Sequence, residues 1–358
     1  MDSIKKFKAT LKDKKLDGFI VTNPYNICYL SGFKGMSDTE RESILVLNPD
    51  ATLLAPRLYQ SEALSLKNAQ LTVQIVKERN HLIETISTLL KNKKRVGFEQ
   101  SDLKYSEFLE LKKLLKGSEF VPSEDLIENL RWEKSESENE KIEKAQVISQ
   151  KAFDQLLPKI KINQTEEEIA EKLLSIIKKL GGQGLAFESI IASGQNSARP
   201  HHKTSNRKIK KGEVLLLDFG TKYQNYCADL SRSIFIGNAK DEHKNIFFQV
   251  KNAQQKAIAQ IKKGTKTSEA FHFANDHFKN LNLDVYFTHG LGHGIGLEVH
   301  ERPYLRASMD DDLKENMIFS IEPGLYMPWG GIRIEDLVVI KNGKAKVLGK
   351  KQEDLIVI

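Results

Sequence analysis

Cysteine is nearly absent: the 358 residues contain two, Cys28 and Cys227. Two cysteines make no disulfide framework, which points to a reducing compartment. A long apolar run is also lacking. No stretch approaches the ~20 residues of a membrane-spanning helix, and the opening MDSIKKFKAT has no apolar signal core. The expectation is a cytoplasmic protein with no membrane partner. One-sided charge is missing too. The formal charge is +7, but 55 basic residues are interleaved with 48 acidic ones, and no helix or loop gathers the basic ones on one face. Clusters such as KNKKR read as solvated surface, so nucleic acid is not an expected partner.

The length suits two domains. DGFIVT (17–22), SILVL (43–47), ATLLA (51–55) and RVGFE (95–99) read as strands. SEALSL and HLIETISTLLKN read as helices, the second with apolar residues at 82, 83, 86, 89 and 90. This predicts an α/β domain over residues 1–130. The charged stretch RWEKSESENEKIEKAQ (131–146) has no apolar period until Ile142 and marks the change to a second domain, 131–358. There Ser137 reads as the cap of a helix with Ile142, Ala145, Ile148, Ala152 and Leu156 on one face. Thr165 and Glu168 have capping-box spacing, and the helix they open ends at Gly181-Gly182. Strands ESIIAS and EVLLLDFG follow, then helical segments 242–263 and 267–281, then strands 317–327 and 332–340. The order helix, helix, strands thus occurs twice. Without any close sequence repeat, it predicts an α+β domain of two similar halves.

One stretch stands apart. THGLGHGIGLEVHE (288–301) holds three of the nine histidines and four glycines. Glycine gains nothing in a buried helix or strand, so backbone here is expected to pass close to a metal or a substrate. Carboxylates answer these histidines. EVLLLDFGTKYQNYCADLSRSIFIG (213–237) reads as a hairpin. A turn centred on Tyr223-Gln224 sets Asp218 directly opposite Asp229, with Cβ atoms about 4.5–5.5 Å apart. Two such acids on apolar strands require a proton or a cation between them. Glu322 follows MIFSI, and Glu335 lies inside the apolar strand GIRIEDLVVI, where an unpaired charge is costly. Four carboxylates and one imidazole suffice for two adjacent divalent metals, two of the acids bridging. Mostly oxygen ligands favour Mn²⁺-like ions, with Co²⁺ and Zn²⁺ also compatible.

At these residues the chain resembles the metallopeptidase family of prolidase, aminopeptidase P and methionine aminopeptidase. The motifs are LLLDFG, YCADLSRS, HGLGHGIGLEVHE, SIEPGLY and GIRIED, in the family's order. LDGFIVTNPYNICYLSGFKG (16–35) resembles the N-terminal domain of prolidase, aminopeptidase P and creatinase. The resemblance implies a pita-bread catalytic domain with pseudo-twofold halves behind a creatinase-like α/β domain. It implies metal ligation by Asp218, Asp229, His293, Glu322 and Glu335, with Asp229 and Glu335 bridging. His289, His300 and His201 match substrate-side histidines, with His202 a bystander. Arg333 matches a supporting residue on the substrate side. The implied reaction is hydrolysis of Xaa-Pro bonds in proline-containing peptides, with Glu322 moving protons and His300 bonding the oxyanion. The resemblance also implies a homodimer. A creatinase-like hydrolase works without metal, and a non-catalytic peptide-binding protein on this fold tends to have lost ligands. Retention of all five argues against both.

One position bears on substrate length. Many prolidases read His-Glu-x-Pro-Arg where this chain reads HERPYLRAS, so Tyr304 occupies the place of an arginine. An arginine fork suits the free carboxylate of a terminal proline, whereas a tyrosine hydroxyl offers one weaker bond. The sequence therefore leans toward an aminopeptidase acting on longer peptides, unless Arg302 or Arg306 reaches in.

Overall fold

The computed structural model describes residues 2–35, 43–78, 81–352 and 354–358. The chain divides into two units, Met1–Arg131 and Trp132–Ile358.

The first unit runs α1 (Asp2–Asp13), β1 (Gly18–Val21), α2 (Pro24–Ser31), β2 (Ile44–Asn48), β3 (Asp50–Pro56), α3 (Gln60–Ser65), β4 (Leu71–Val76), α4 (His81–Leu89), β5 (Arg95–Glu99), α5 (Tyr105–Leu114), β6 (Glu119–Ser123) and α6 (Glu128–Arg131). The strands form one sheet, β4-β3-β2-β1-β5-β6. β2 lies antiparallel between β1 and β3, and the other pairs are parallel. Alternation along the strands feeds two cores. Phe19, Val21, Leu45 and Leu47 pack with Ile4, Phe7 and Leu11 of α1. Ile20, Ile44 and Val46 pack with Leu82 and Ile86 of α4 and Leu111 of α5. A sheet covered on both faces explains why these strands read as continuous apolar runs.

The second unit runs α7 (Glu136–Leu156), α8 (Glu166–Lys179), β7 (Gly184–Leu185), β8 (Ile190–Ser193), β9 (Val214–Phe219), β10 (Thr221–Tyr223), β11 (Tyr226–Cys227), β12 (Leu230–Phe235), α9 (Asp241–Gln260), α10 (Thr267–Lys279), β13 (Gly292–Gly294), β14 (Glu301–Leu305), β15 (Ile318–Ile321), β16 (Gly324–Met327), β17 (Gly330–Arg333), β18 (Asp336–Lys341) and β19 (Lys344–Val347). The helix-helix-strands order recurs as the sequence predicts. α7 is capped by Ser135 and not by Ser137, because Glu138 stands at the position that closes the capping box on Ser135. The box at Thr165 and Glu168 forms as expected.

Each half covers one sheet face with its helix pair. In β8-β9-β12, Leu215, Leu217 and Phe219 pack with Ile148 and Phe153 of α7 and Ile169 and Leu173 of α8. Asp218 alternates with them and so faces away from those helices. In β14-β13-β15-β18-β19, Phe319, Ile321, Val338 and Ile340 pack with Phe247 and Val250 of α9 and Ala270 and Ala274 of α10. The segments meet through Ser233, whose hydroxyl donates to Arg333 O (3.0 Å) and accepts from Arg333 N (3.1 Å).

Glu99, at the end of β5, is a buried acid in the first unit. It accepts from Thr22 N (2.5 Å), Asn23 N (2.6 Å) and Asn26 Nδ2 (2.7 Å), which pins the start of α2. Burial pushes its carboxyl up from 4.5 to about 7, against those bonds. The folded state therefore keeps a proton that the unfolded chain releases. Stability from this group is complete below the unfolded value and falls as pH rises toward about 7, by about 3 kcal/mol at most. Glu99→Gln should flatten that slope. Hydrogen exchange of β1 and β5 amides from pH 5 to 8, corrected for intrinsic rates, measures it. An equal slope in wild type and variant would contradict the assignment.

Candidate metal centre and its cavity

The hairpin carrying the two aspartates forms in a register other than the expected one. Asp218 pairs with Ser231 and not with Asp229. The turn explains the difference. Gln224 and Asn225 both take positive φ, 47° and 69°, and Tyr223 pairs with Tyr226, so the turn centres one residue later. Asp229 stands just before β12, two positions from Ser231. It still meets Asp218, because alternate residues share a face. Gly220 is required where β9 gives way to β10, since a Cβ there would lie 1.7 Å from Ala228 O.

The other two acids do not lie within strands. Each long strand expected from the sequence is interrupted at its acid: Glu322 between β15 and β16, Glu335 between β17 and β18. The interruption frees each carboxylate from the ladder while Ile321 and Ile334 beside them stay in the core. The Glu335 segment is fastened by its own bonds. Its N–H donates to Ser231 O (3.1 Å), and Arg232 donates to Glu335 O (2.5 Å) and to Asp336 Oδ1 (2.6 Å).

Three groups bring ligand atoms within 4.8 Å of one another: Asp218, Asp229 and Glu335; His293, Glu322 and Glu335; and Asp229, His293 and His300. All five sequence-predicted ligands therefore converge, and His300 joins one of the groups. Within the first group one oxygen of each acid (Asp218 Oδ1, Asp229 Oδ1 and Glu335 Oε1) is buried without a hydrogen-bond partner. His293 Nδ1 lies 3.0 Å from Gly294 O. Donation there leaves Nε2 to face Glu322 Oε1 at 3.2 Å and Asp229 Oδ2 at 3.6 Å. Orphaned carboxylate oxygens around an imidazole nitrogen that can give up its proton form a donor set suited to a divalent cation.

The charges agree with that fit. Burial raises Asp218 although Arg333 opposes it. Burial and then repulsion from Asp218 push Asp229 well up, and burial and then Asp229 do the same to Glu335. His293 and Glu322 divide a proton between them. Burial disfavours charge on both, yet their mutual bond lifts His293 to about 9 and holds Glu322 down to about 2. Without a cation, protons must do the neutralising.

A cavity of about 590 Å³ opens over these ligands. It lies inside the range of roughly 300–1,000 Å³ common for small-molecule sites. His201, His289, His300, Tyr304 and Arg333 all line it. The ring of His300 stands 4.3 Å from that of His293, and burial, then the charge of His293, lowers its pKa to about 4. His289 lies 2.7 Å from Gly290 O and 2.9 Å from the Tyr326 hydroxyl. Arg333 is buried. It donates to Asp218, to Tyr326 Oη (2.6 Å), to Ser231 Oγ (2.9 Å) and to Pro200 O (3.4 Å). Arg333 thus touches a ligand carboxylate and the cavity wall together.

Several residues here escaped sequence reasoning. Ser231 donates to Glu335 Oε2 (2.8 Å), and Ser320 accepts from His293 N (3.0 Å) and donates to Glu322 Oε1 (3.1 Å). Tyr326 joins His289 to Arg333. Each lies within four residues of a ligand, and a single hydroxyl beside an acid is too common a pattern to single out. Of the two arginines proposed near Tyr304, Arg306 lines the cavity with its guanidinium 5.2 Å from the Tyr304 ring. Arg302 lies over Trp132 and beside Asp311, and is not among the lining residues. Cys227 is buried, and burial pushes its thiol up to about 12, in keeping with a core role.

Residues 140–342 match metallopeptidase family M24, and residues 4–132 match the creatinase/prolidase N-terminal domain. The chain is 34% identical over 356 residues to a Xaa-Pro dipeptidase of Pyrococcus furiosus, covering 99% of each. It superposes on a Xaa-Pro dipeptidase from Bacillus anthracis with a TM-score of 0.93 at 30% identity, covering 100% of this chain and 99% of that one. An X-Pro aminopeptidase from Thermotoga maritima gives 0.89 at 32% identity, covering 99% of each. These matches span both units, so the pita-bread fold with a creatinase-like N-terminal domain is the observed one.

A site built of mutually repelling acids trades stability for function. Asp229→Asn removes one charge at nearly constant shape. It should raise the thermal midpoint of the metal-free protein and abolish the further rise on adding Mn²⁺. The wild type should gain about 2.7 kcal/mol for each site at which Mn²⁺ reaches a hundred times its Kd. Differential scanning calorimetry with chelator and with Mn²⁺ measures both, and an undiminished Mn²⁺ shift in the variant would contradict the ligand assignment.

Proposed function

We propose a function from one premise: the chain belongs to metallopeptidase family M24. It is a dinuclear metal-dependent dipeptidase that hydrolyses Xaa-Pro. The observation that carries this reading is the set of orphaned buried oxygens on Asp218, Asp229 and Glu335 at the cavity. Asp218, Asp229, His293, Glu322 and Glu335 would hold two divalent ions, with Asp229 and Glu335 shared. The oxygen-rich set favours Mn²⁺. When bound, such ions supply a water of lowered pKa and polarise the scissile carbonyl. A non-catalytic binding protein was expected to lack ligands, and all five are present.

The residues divide the remaining work. Glu322 accepts the proton of the attacking water and delivers it to the departing proline nitrogen. His300, held neutral, offers an N–H to the oxyanion as charge develops. An Xaa-Pro amide has no N–H of its own, so recognition rests on the two ends of the peptide. The sequence-based lean toward longer peptides is revised on two grounds. Relatives at 34% identity over nearly the full length are named Xaa-Pro dipeptidases. Arg306 also lines the cavity beside Tyr304, so an arginine fork is available two residues beyond its expected place. Arg306 thus anchors the free carboxylate of the terminal proline, with His201 and His289 beside it. The Thermotoga maritima relative named an aminopeptidase keeps the longer-peptide reading as the second one.

kcat/KM should be higher for Xaa-Pro than for Xaa-Pro-Yaa. Arg306→Ala should cost the dipeptide about 10- to 150-fold, the worth of a charge-assisted bond, and leave an Xaa-Pro amide nearly unaffected. A preference for the tripeptide, together with insensitivity of the dipeptide to Arg306→Ala, would sink the dipeptidase assignment. His300→Ala should lower kcat about 10²–10³-fold with both metals retained. Loss of metal from that variant would make His300 a ligand.

A further inference from the structure

Glu166 takes no part in the chemistry proposed above, yet it is fully buried and more heavily hydrogen-bonded than a helix-start acid needs to be. It follows the N-cap Thr165 at the first position of α8. An acid there usually lies at the surface and complements the helix dipole. Here six donors converge on it. Oε1 accepts from Ser193 N (2.8 Å), Ser193 Oγ (2.8 Å) and Asn196 Nδ2 (3.0 Å). Oε2 accepts from His202 Nε2 (2.9 Å), Ser205 Oγ (2.7 Å) and Ser205 N (3.2 Å). A carboxylate only accepts, so His202 carries its proton on Nε2. Burial works against the charge, but the bonds from Asn196, His202, Ser205 and Ser193 outweigh it and hold Glu166 below the usual range.

All six donors belong to residues 193–205, the loop that leaves β8. The loop answers in kind: Ser205 O accepts from Glu167 N (3.1 Å), satisfying a first-turn N–H of α8. Between its two clamped ends stands His201. His201 is exposed and lines the cavity with Pro200, whereas His202, one residue on, is buried against Glu166. The far side of the loop is also tied, since Gly331 N donates to Ser197 Oγ (2.8 Å) and Arg333 donates to Pro200 O (3.4 Å). Consecutive histidines thus face opposite ways, one to the cavity and one to the scaffold.

We propose that Glu166 and His202 form a positioning pair that fixes the 193–205 loop so that His201 meets the substrate. The sequence-based reading of His202 as a bystander is thereby replaced. The proposal rests on the reading of the cavity as a peptide site with His201 on its substrate side. Without the pair the loop samples other conformations and His201 is in place for only part of the time, which raises the apparent KM by the reciprocal of that fraction. The ligands lie on other elements, so metal content and kcat are spared.

His202→Leu removes the donor, and His202→Gln keeps an N–H at the same reach. In holoenzyme, His202→Leu should raise KM toward the value of His201→Ala with kcat within twofold of wild type. His202→Gln should return KM near wild type. The double variant His201→Ala/His202→Leu should be no worse than His201→Ala alone, because the two act as one unit. Amides of Ser193 and Ser205 should exchange faster in His202→Leu and regain protection in His202→Gln, with metal content unchanged throughout. KM effects that multiply in the double variant, or a loss of thermal stability with KM unaltered, would overturn the proposal and leave the pair a purely structural contact. Should the wild type cleave no Xaa-Pro peptide, the proposed function fails on its own. Hydrogen exchange then tests only the fixing of the loop, and exchange unchanged in His202→Leu overturns that part of the proposal.

Discussion

Buried negative charge is the constraint around which the second unit is organised. Asp218, Asp229 and Glu335 gather their oxygens within 4.8 Å, and Glu322 adds a fourth acid beside His293. Carboxylates so placed destabilise the fold unless something positive joins them. Arg333 supplies one permanent charge at Asp218, and in the metal-free protein the protonated imidazole of His293 supplies a second, titratable one. Arg232 and Asp336, a buried pair at 2.6 Å, hold the Glu335 segment from behind. These cations leave one oxygen on each of three acids unsatisfied, and a divalent ion is the remaining way to neutralise them without protons.

The architecture follows from that need. Each half carries a helix pair on one face of its sheet, and in the first half the alternation of strand residues sends the apolar set to the helices and Asp218 to the other side. Where alternation would bury an acid in the ladder, the strand stops, as it does at Glu322 and Glu335. Glycines serve where backbones must nearly touch: a Cβ on Gly292 would lie 1.9 Å from Ser320 O, beside the serine that bonds both His293 and Glu322. That contact accounts for part of the glycine-histidine stretch in terms of one close approach.

Local signals were legible in the sequence, and contacts between distant elements were not. The strands of the first unit, the capping box at Thr165 and the five candidate ligands follow from apolar runs, cap spacing and motif residues. The hairpin register did not, because it depends on Gln224 and Asn225 adopting positive φ, which only the formed turn reveals. Ser137 lost the cap to Ser135 by the spacing of Glu138. Arg306 could be named only as one of two possibilities, since reaching the cavity depends on how β14 pairs with β13. Glu166 gave no signal at all. In a run of three glutamates at a helix start it resembles its solvated neighbours, and only the six donor atoms of four residues within 193–205 distinguish it.

On the proposed function, this cluster exchanges protons for two metal ions. His293, raised to about 9, is protonated near neutral pH in the metal-free protein, and a ligating imidazole must be neutral. Isothermal titration of the metal-free protein with Mn²⁺ at pH 7, in two buffers of different ionisation enthalpy, reads stoichiometry and proton release together. The titration should give two ions per chain and at least one proton released to the buffer. A single ion, or no ion, or binding without proton release, would contradict that reading.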